Sequence, residues 1–188
     1  MIQPAYSDIE LFETTIELCK KFDIKKFIET GTFEGGSVLR ASSFFEEVIS
    51  IEANTVNYNK SIENTKHLQN VKLHHGNSPE VLDKILKEKD DKIFFFLDAH
   101  WHHYWPLLDE LSIIKNKCIK PVIAIHDFYV PNENGSAKFH YDSYNGQKLN
   151  WEYIKNKIVD IYGVDGFIKK FNEKPNVLSG VIFIYPKD

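Results

Sequence analysis

A chain of 188 residues, 43% hydrophobic and 27% charged, has the make-up of one globular domain extending over 1–188. Its formal net charge of −4, with no dense basic stripe, argues against nucleic acid as a partner, and its two cysteines, Cys19 and Cys118, form no CxxC pair that would frame disulfides or zinc. No run reaches the roughly 20 apolar residues of a membrane span, and Met1 to Glu10 lacks the pattern of a secretory leader, so no membrane partner is expected and the default compartment is the cytoplasm.

Ser7-Asp8-Ile9-Glu10 reads as a capping box, and Ile9, Phe12, Ile16 and Cys19 then share one helix face that ends at Lys20 and Lys21. Five strand candidates follow: Lys26–Glu29, Val48–Glu52, Val71–His75, Ile93–Asp98 and Val122–His126. Each is followed by a helix candidate. Ile93-Phe94-Phe95-Phe96-Leu97 and Val122-Ile123-Ala124-Ile125 are continuously apolar, as strands buried on both faces are, so the sheet reads as mostly parallel with helices on both sides. Ser78-Pro79-Glu80 is a helix start, with a cap, a proline and an acid in sequence. Pro106 opens another helix carrying Leu107, Leu108, Leu111 and Ile114. Tyr129 to Asn150 is the one long irregular segment, and a loop of that length reads either as a substrate lid or as an ordered surface loop. After a helix over Trp151–Tyr162, Gly166–Asn172 and Val177–Tyr185 read as an antiparallel hairpin joined through Glu173-Lys174-Pro175-Asn176.

The densest signal lies early. Phe27-Ile28-Glu29-Thr30-Gly31-Thr32-Phe33-Glu34-Gly35-Gly36-Ser37 takes an apolar strand into an acid and a glycine-rich turn. The next strand ends in Glu52, 21 positions after Gly31. Strand, glycine turn, helix, strand and acid together make a nucleoside pocket: the glycines let the backbone approach the ligand, and the acid grips ribose hydroxyls. Glycine at a helix entry and a solvated acid at a strand end are the plainer readings of each part alone. Open α/β sheets bind ligands beyond the carboxyl ends of their strands, where Glu29, Gly31, Glu52, Asn77, Ser78 and Asp98 fall. Phe33 stands where the dinucleotide fingerprint has its second glycine, which favours a cofactor without a pyrophosphate.

Glu29-Thr30-Gly31-Thr32-Phe33-Glu34-Gly35-Gly36-Ser37, Ser50-Ile51-Glu52, His75-Gly76-Asn77-Ser78 and Leu97-Asp98-Ala99-His100 resemble, in order, the motifs of class I S-adenosylmethionine-dependent methyltransferases. The resemblance runs from the first helix to the terminal hairpin. It implies a Rossmann-like α/β fold, a seven-stranded sheet of order 3-2-1-4-5-7-6 with an antiparallel last strand. Phe96-Leu97-Asp98-Ala99-His100-Trp101 and Ile125-His126-Asp127-Phe128 are similar to small bacterial methyltransferases of sugar and natural-product pathways, including macrocin-type and metal-dependent O-methyltransferases. Carried over by position, Glu29 and Gly31 would line the methionine end of S-adenosylmethionine, Glu52 its ribose, and Asn77 with Ser78 its adenine, while Thr32, Gly35, Ser37 and Asp98 complete the cofactor-binding set. Thr32 and Phe33 interrupt the family's glycine spacing and shift the backbone path.

In that order Asp98 and Asp127 end neighbouring strands, about 4.8 Å apart. Two carboxylates with His126 or His100 suit an octahedral Mg²⁺ or Mn²⁺, which would lower the pKa of an acceptor hydroxyl. Phe128 stands where catechol-type members carry a further ligand. Without metal, Asp98 contacts the cofactor's amino group and Asp127 orients the acceptor. His100 is the first candidate for general base. His100, His102 and His103 are too close in sequence to suit one tetrahedral zinc. The leading function is O-methylation of a small hydroxylated acceptor, a sugar or natural product. A nicotinamide-dependent oxidoreductase and a catalytically silent binding subunit are the alternatives. Association as a homo-oligomer is compatible with the sequence.

Overall fold

The structure, a computed structural model, describes residues 9–100, 104–173 and 177–187. The Ser7 cap and His102 and His103 fall outside them. In chain order the elements are α1 (Ile9–Lys21), β1 (Lys26–Thr30), α2 (Gly36–Ala41), β2 (Glu47–Glu52), α3 (Thr55–Thr65), β3 (Val71–His75), α4 (Ser78–Ile85), β4 (Ile93–Leu97), α5 (Leu107–Lys117), β5 (Val122–Ile125), β6 (Ser143–Tyr144), β7 (Gln147–Lys148), α6 (Trp151–Tyr162), β8 (Phe167–Phe171) and β9 (Ile182–Pro186). The main sheet has the order β3-β2-β1-β4-β5-β9-β8. β1 to β5 pair in parallel, and β9 is antiparallel to both β5 and β8. This is the expected topology, with two short extra strands inserted before the last pair.

Two apolar layers sandwich the sheet, and β4 shows why. All five of its residues are buried, and the pleat sends them to alternate faces. Phe94 and Phe96 join Phe27, Val38 and Ala41 under α1 and α2, with Phe27 stacked 5.9 Å from Phe94. Ile93, Phe95 and Leu97 join Leu82, Leu111, Ile154 and Ile158 under α4, α5 and α6. Burying a side chain of this size contributes roughly 1.5–3 kcal/mol each. The strands are therefore fixed from both sides, and their carboxyl ends stay at one edge. No helix among the described residues is long and apolar enough to cross a membrane.

The terminal hairpin departs from the expectation in one respect. Its second strand begins at Ile182, five residues after Val177. Leu178 and Gly180 spend their backbone groups elsewhere: the His140 amide donates to the Leu178 carbonyl, the Gly180 amide to the His140 carbonyl, and the Phe128 amide to the Gly180 carbonyl. The segment therefore ties down the loop that follows β5 before it can enter the sheet. That loop is also more regular than expected. β6 and β7 form a small hairpin around Asn145 and Gly146, both at positive φ, which is the backbone a two-residue hairpin turn requires.

Candidate active site

A cleft of about 890 Å³ opens beyond the carboxyl ends of the parallel strands, within the range of ligand-sized pockets. It runs continuously from Gly76 and Ser78 past Glu52 and Gly31 to Asp98, His126 and Asp127.

At the first end the turn after β1 is held by acids. Gly31 adopts φ +87°, and a Cβ there would lie 2.6 Å from the Asp98 carbonyl oxygen. Glycine thus allows the turn to cross the end of β4, a tighter demand than room for a ligand. Glu52 accepts the Phe33 amide on Oε2 at 2.7 Å and the Asn54 amide on Oε1 at 2.8 Å. A carboxylate has about four lone-pair sites, so two remain for hydroxyls in the cleft. Phe33 holds φ 52°. It takes the left-handed backbone that the second glycine of a dinucleotide turn would supply, while its side chain lines the cleft.

Thr32 and Ser37 line the cleft, whereas Glu29 lies outside its lining, 1% exposed. Ser50 donates to Glu29 Oε2 at 2.6 Å, and Thr32 and Ser50 share a hydroxyl contact of 2.6 Å. Burial pushes the Glu29 carboxyl up to about 8, against the pull of the Ser37 and Ser50 hydroxyls. Glu29 therefore lies under the turn, outside the lining of the cleft. Gly35 is also absent from the lining, and a Cβ there would meet Thr65 and Ser61 of α3 at 3.2 and 3.3 Å. Asn77 precedes α4 without lining the cleft; Ser78 does line it.

At the other end Asp98, His126 and Asp127 converge, their ligand atoms all within 4.8 Å. Successive residues on a strand face opposite ways. Here Asp127 leaves the strand at φ 50°, so both His126 and Asp127 reach the cluster. His126 Nδ1 lies 2.9 Å from Asp98 Oδ1 and 3.5 Å from Asp127 Oδ2. Burial works against the imidazolium, but Asp98 and Asp127 outweigh it and raise the His126 pKa to about 10. Burial also opposes the Asp127 carboxylate, and His126 prevails to hold it at about 2. Asp127 Oδ1 is buried without a hydrogen-bond partner.

Two contributors, Asp142 and Glu110, were not picked out from sequence. Asp142 comes from the loop after β5, its amide donating to the Asp127 carbonyl at 2.9 Å. It forms a second group with His100 and Asp127, and His100 Nδ1 is 3.8 Å from Asp142 Oδ2. Burial, then repulsion from Asp127, raises the Asp142 pKa. Glu110, in the first turn of α5, is 1% exposed. Trp105 and Tyr144 form an aromatic wall, ring centroids 6.1 Å apart. Of the other loop aromatics, Tyr141 packs edge-on against Tyr129 at 4.8 Å, and neither Phe139 nor His140 lines the cleft. A lone acid in an irregular segment carries no sequence signal, which is why Asp142 escaped notice.

No family model matches the sequence, and no curated protein matches it. Solved structures do. An O-methyltransferase from Bacillus cereus in complex with S-adenosylhomocysteine superposes with a TM-score of 0.66 at 15% identity, covering 100% of this chain and 83% of that one. A SAM-dependent methyltransferase from Aquifex aeolicus gives 0.61 at 17% identity, covering 96% and 92%. A precorrin 8W decarboxylase from Methanobacterium thermoautotrophicum gives 0.56 at 16% identity, covering 96% and 90%. The chain has the Rossmann-like fold of class I methyltransferases. The third likeness shows that one fold carries more than one named reaction, so function rests on the site.

Proposed function

We propose that the chain is an S-adenosylmethionine-dependent methyltransferase acting on a hydroxyl of a small acceptor, a sugar or natural product. The observation that carries this reading is the continuity of the cleft: a single cavity joins the nucleoside-type end at Glu52 and Ser78 to the acid and imidazole cluster at Asp98, Asp127 and His100. S-Adenosylmethionine, when bound, supplies an electrophilic methyl group. The chain's residues hold and orient. Glu52 accepts ribose hydroxyls on its free lone pairs, and Thr32 and Ser37 sit where the methionine portion passes. His126 bridges Asp98 and Asp127 and fixes both carboxylates. His100, with Nδ1 toward Asp142, takes the acceptor hydroxyl's proton on Nε2. Trp105 and Tyr144 flank the acceptor, and the segment from Tyr129 to Asn150 excludes water above it.

The donor set fits Mg²⁺ or Mn²⁺, since Asp127 Oδ1 is a buried hard oxygen without a hydrogen-bond partner, in a residue whose ligand atom lies within 4.8 Å of those of Asp98 and His126. Asp98 and Asp127 would hold the ion, with His126 once it releases Asp98, or with Asp142 and His100. The ion would supply a lowered hydroxyl pKa.

Calorimetry with S-adenosylhomocysteine and with NAD tests the reading. Binding of the first and not the second is expected. Binding of NAD alone would replace the reading with a redox one.

A further inference from the structure

A recess of about 20 Å³ adjoins the cleft beyond the ends of β4 and β5. That is room for one water-sized group. Asp98, Trp105, Glu110, His126, Asp127 and Asp142 line it, whereas Thr32 and Ser37, at the methionine end of the proposed cofactor, do not.

The charges around this recess do not balance. His126 is held as an imidazolium, and Asp98 and Asp127 share it. Asp142 has no such partner. The imidazoles of His100 and His140 stand 3.8 and 3.9 Å from its carboxylate, beyond hydrogen-bond length. Repulsion from Asp127 adds to burial in raising its pKa, as befits a carboxylate short of positive charge. Among the described residues, no lysine or arginine lines either the recess or the cleft. Two lysines of the covering loop are engaged elsewhere: Lys148 Nζ lies 4.5 Å over the Tyr129 ring, and Lys138 Nζ donates to the Glu173 carbonyl at 2.9 Å. Trp105 completes the setting. Its indole packs between Tyr144 and Tyr153, with ring centroids 6.1 and 5.3 Å away. Indole is the best aromatic partner for a cation, and the carboxylates favour one as well. A phosphate or carboxylate would meet only like charge.

We infer that the recess seats a protonated amine of the acceptor, so that the acceptor is an amino alcohol of the amino-sugar kind and not a neutral or phosphorylated sugar. This rests on the methyltransferase reading proposed above and names the substrate class for it. An ammonium group is close to a water molecule in size and has three N–H donors for Asp142 and its neighbours to accept. Acetylation removes the charge and adds bulk that the recess does not hold. His100 lines both the recess and the cleft, so a hydroxyl on the carbon beside the amine comes within its reach. The amine is a handle and not the nucleophile, because once protonated it has no lone pair to take a methyl group.

The test is a ligand-observed NMR titration of the protein saturated with S-adenosylhomocysteine, at neutral pH in EDTA, with glucosamine, glucose, N-acetylglucosamine and glucose 6-phosphate. Glucosamine should bind about 10-fold or more tightly than glucose, and the other two no better than glucose. Asp142→Asn should bring the ratio of glucosamine to glucose affinity toward one, with S-adenosylhomocysteine affinity within about 2-fold of wild type. Trp105→Leu should lower the ratio as well, and it serves if Asp142→Asn does not fold. Glucosamine binding no tighter than glucose, or not at all, overturns the inference while sparing the methyltransferase reading. A ratio unchanged in both variants overturns it too. So does an advantage for glucosamine that appears only when Mg²⁺ replaces EDTA, which would assign the carboxylates to the ion. A loss of S-adenosylhomocysteine affinity in Asp142→Asn with no preference for the amine would give the recess to the cofactor. Failure of the wild-type protein to bind S-adenosylhomocysteine removes the methyltransferase reading itself.

Discussion

The Glu52 carboxylate already accepts the Phe33 and Asn54 amides before any ligand arrives. Glu52→Ala should therefore do two things. It should destabilise the fold by about 2 kcal/mol, since two amides lose a charged acceptor, and weaken S-adenosylhomocysteine binding roughly 10- to 100-fold. Urea unfolding and calorimetry on the same variant separate these; a loss of stability with unchanged affinity would confine Glu52 to the turn. Gly31→Ala tests the crossing over β4. A left-handed alanine costs about 1–2 kcal/mol, and a clash with the Asp98 carbonyl adds about 1–3 more, so a drop of about 2–5 kcal/mol in unfolding free energy is expected. A near-neutral result would mean that the turn relaxes away from β4. Asp127→Asn addresses the other end of the cleft. It should abolish any stimulation of methyl transfer by Mg²⁺ or Mn²⁺ while S-adenosylhomocysteine affinity stays within about 2-fold. Full metal-stimulated turnover in that variant would remove Asp127 from the donor set.

The helices obey their end signals closely enough to be tested there. Asn150 accepts the Tyr153 amide at 3.1 Å and so caps α6, whose Ile154 and Ile158 are fully buried in the layer shared with α5. Asn150→Ala should lower the unfolding free energy by about 1 kcal/mol, read as a shift in urea midpoint at constant slope; no shift would mean that packing alone sets the start of α6. The same regularity explains what could be read without coordinates. β4 and β5 are buried on both faces, so their apolar runs announce both type and position. Pro79 and Pro106 announce the starts of α4 and α5. The short hairpin of β6 and β7 was not read from sequence, although Asn145-Gly146 is a turn signal, because two-residue strands leave no periodicity beside it. Site residues divide along the same line. Glu52, Asp98 and Asp127 sit at strand ends, whose order follows from topology. Glu29, Gly35 and Asn77 share those motifs, yet none of the three lines the cleft. Asp142 reaches the cluster only through the path of a 22-residue loop, and Glu110 only through the packing of α5 against α4; neither is a local property of the chain.

Taken whole, the molecule gathers its acids at one edge of a doubly covered sheet, and two of them, Glu29 and Glu110, are 1% exposed. Burial in the folded state pushes their carboxyls up from 4.5, to about 8 and about 7. In the unfolded chain both return to water and to the ordinary value. Between about pH 4.5 and 8 the folded protein thus holds protons that the unfolded chain has released. Stability is lost as pH rises wherever the folded state binds more protons, so these two groups contribute fully below about pH 4.5 and lose their contribution as pH climbs through 7 and 8. His126, raised to about 10, acts in the same direction at higher pH. The urea midpoint of the wild-type protein should therefore fall between about pH 5 and 8. Because other groups titrate in that range, Glu29→Gln is the decisive comparison. Its amide oxygen can still accept from Ser50, but it does not titrate, so the midpoint should decline less steeply than in the wild type while the value near pH 5 changes little. Parallel curves for the two proteins would show that Glu29 stays ionised in the fold and that the Ser37 and Ser50 hydroxyls compensate its burial in full.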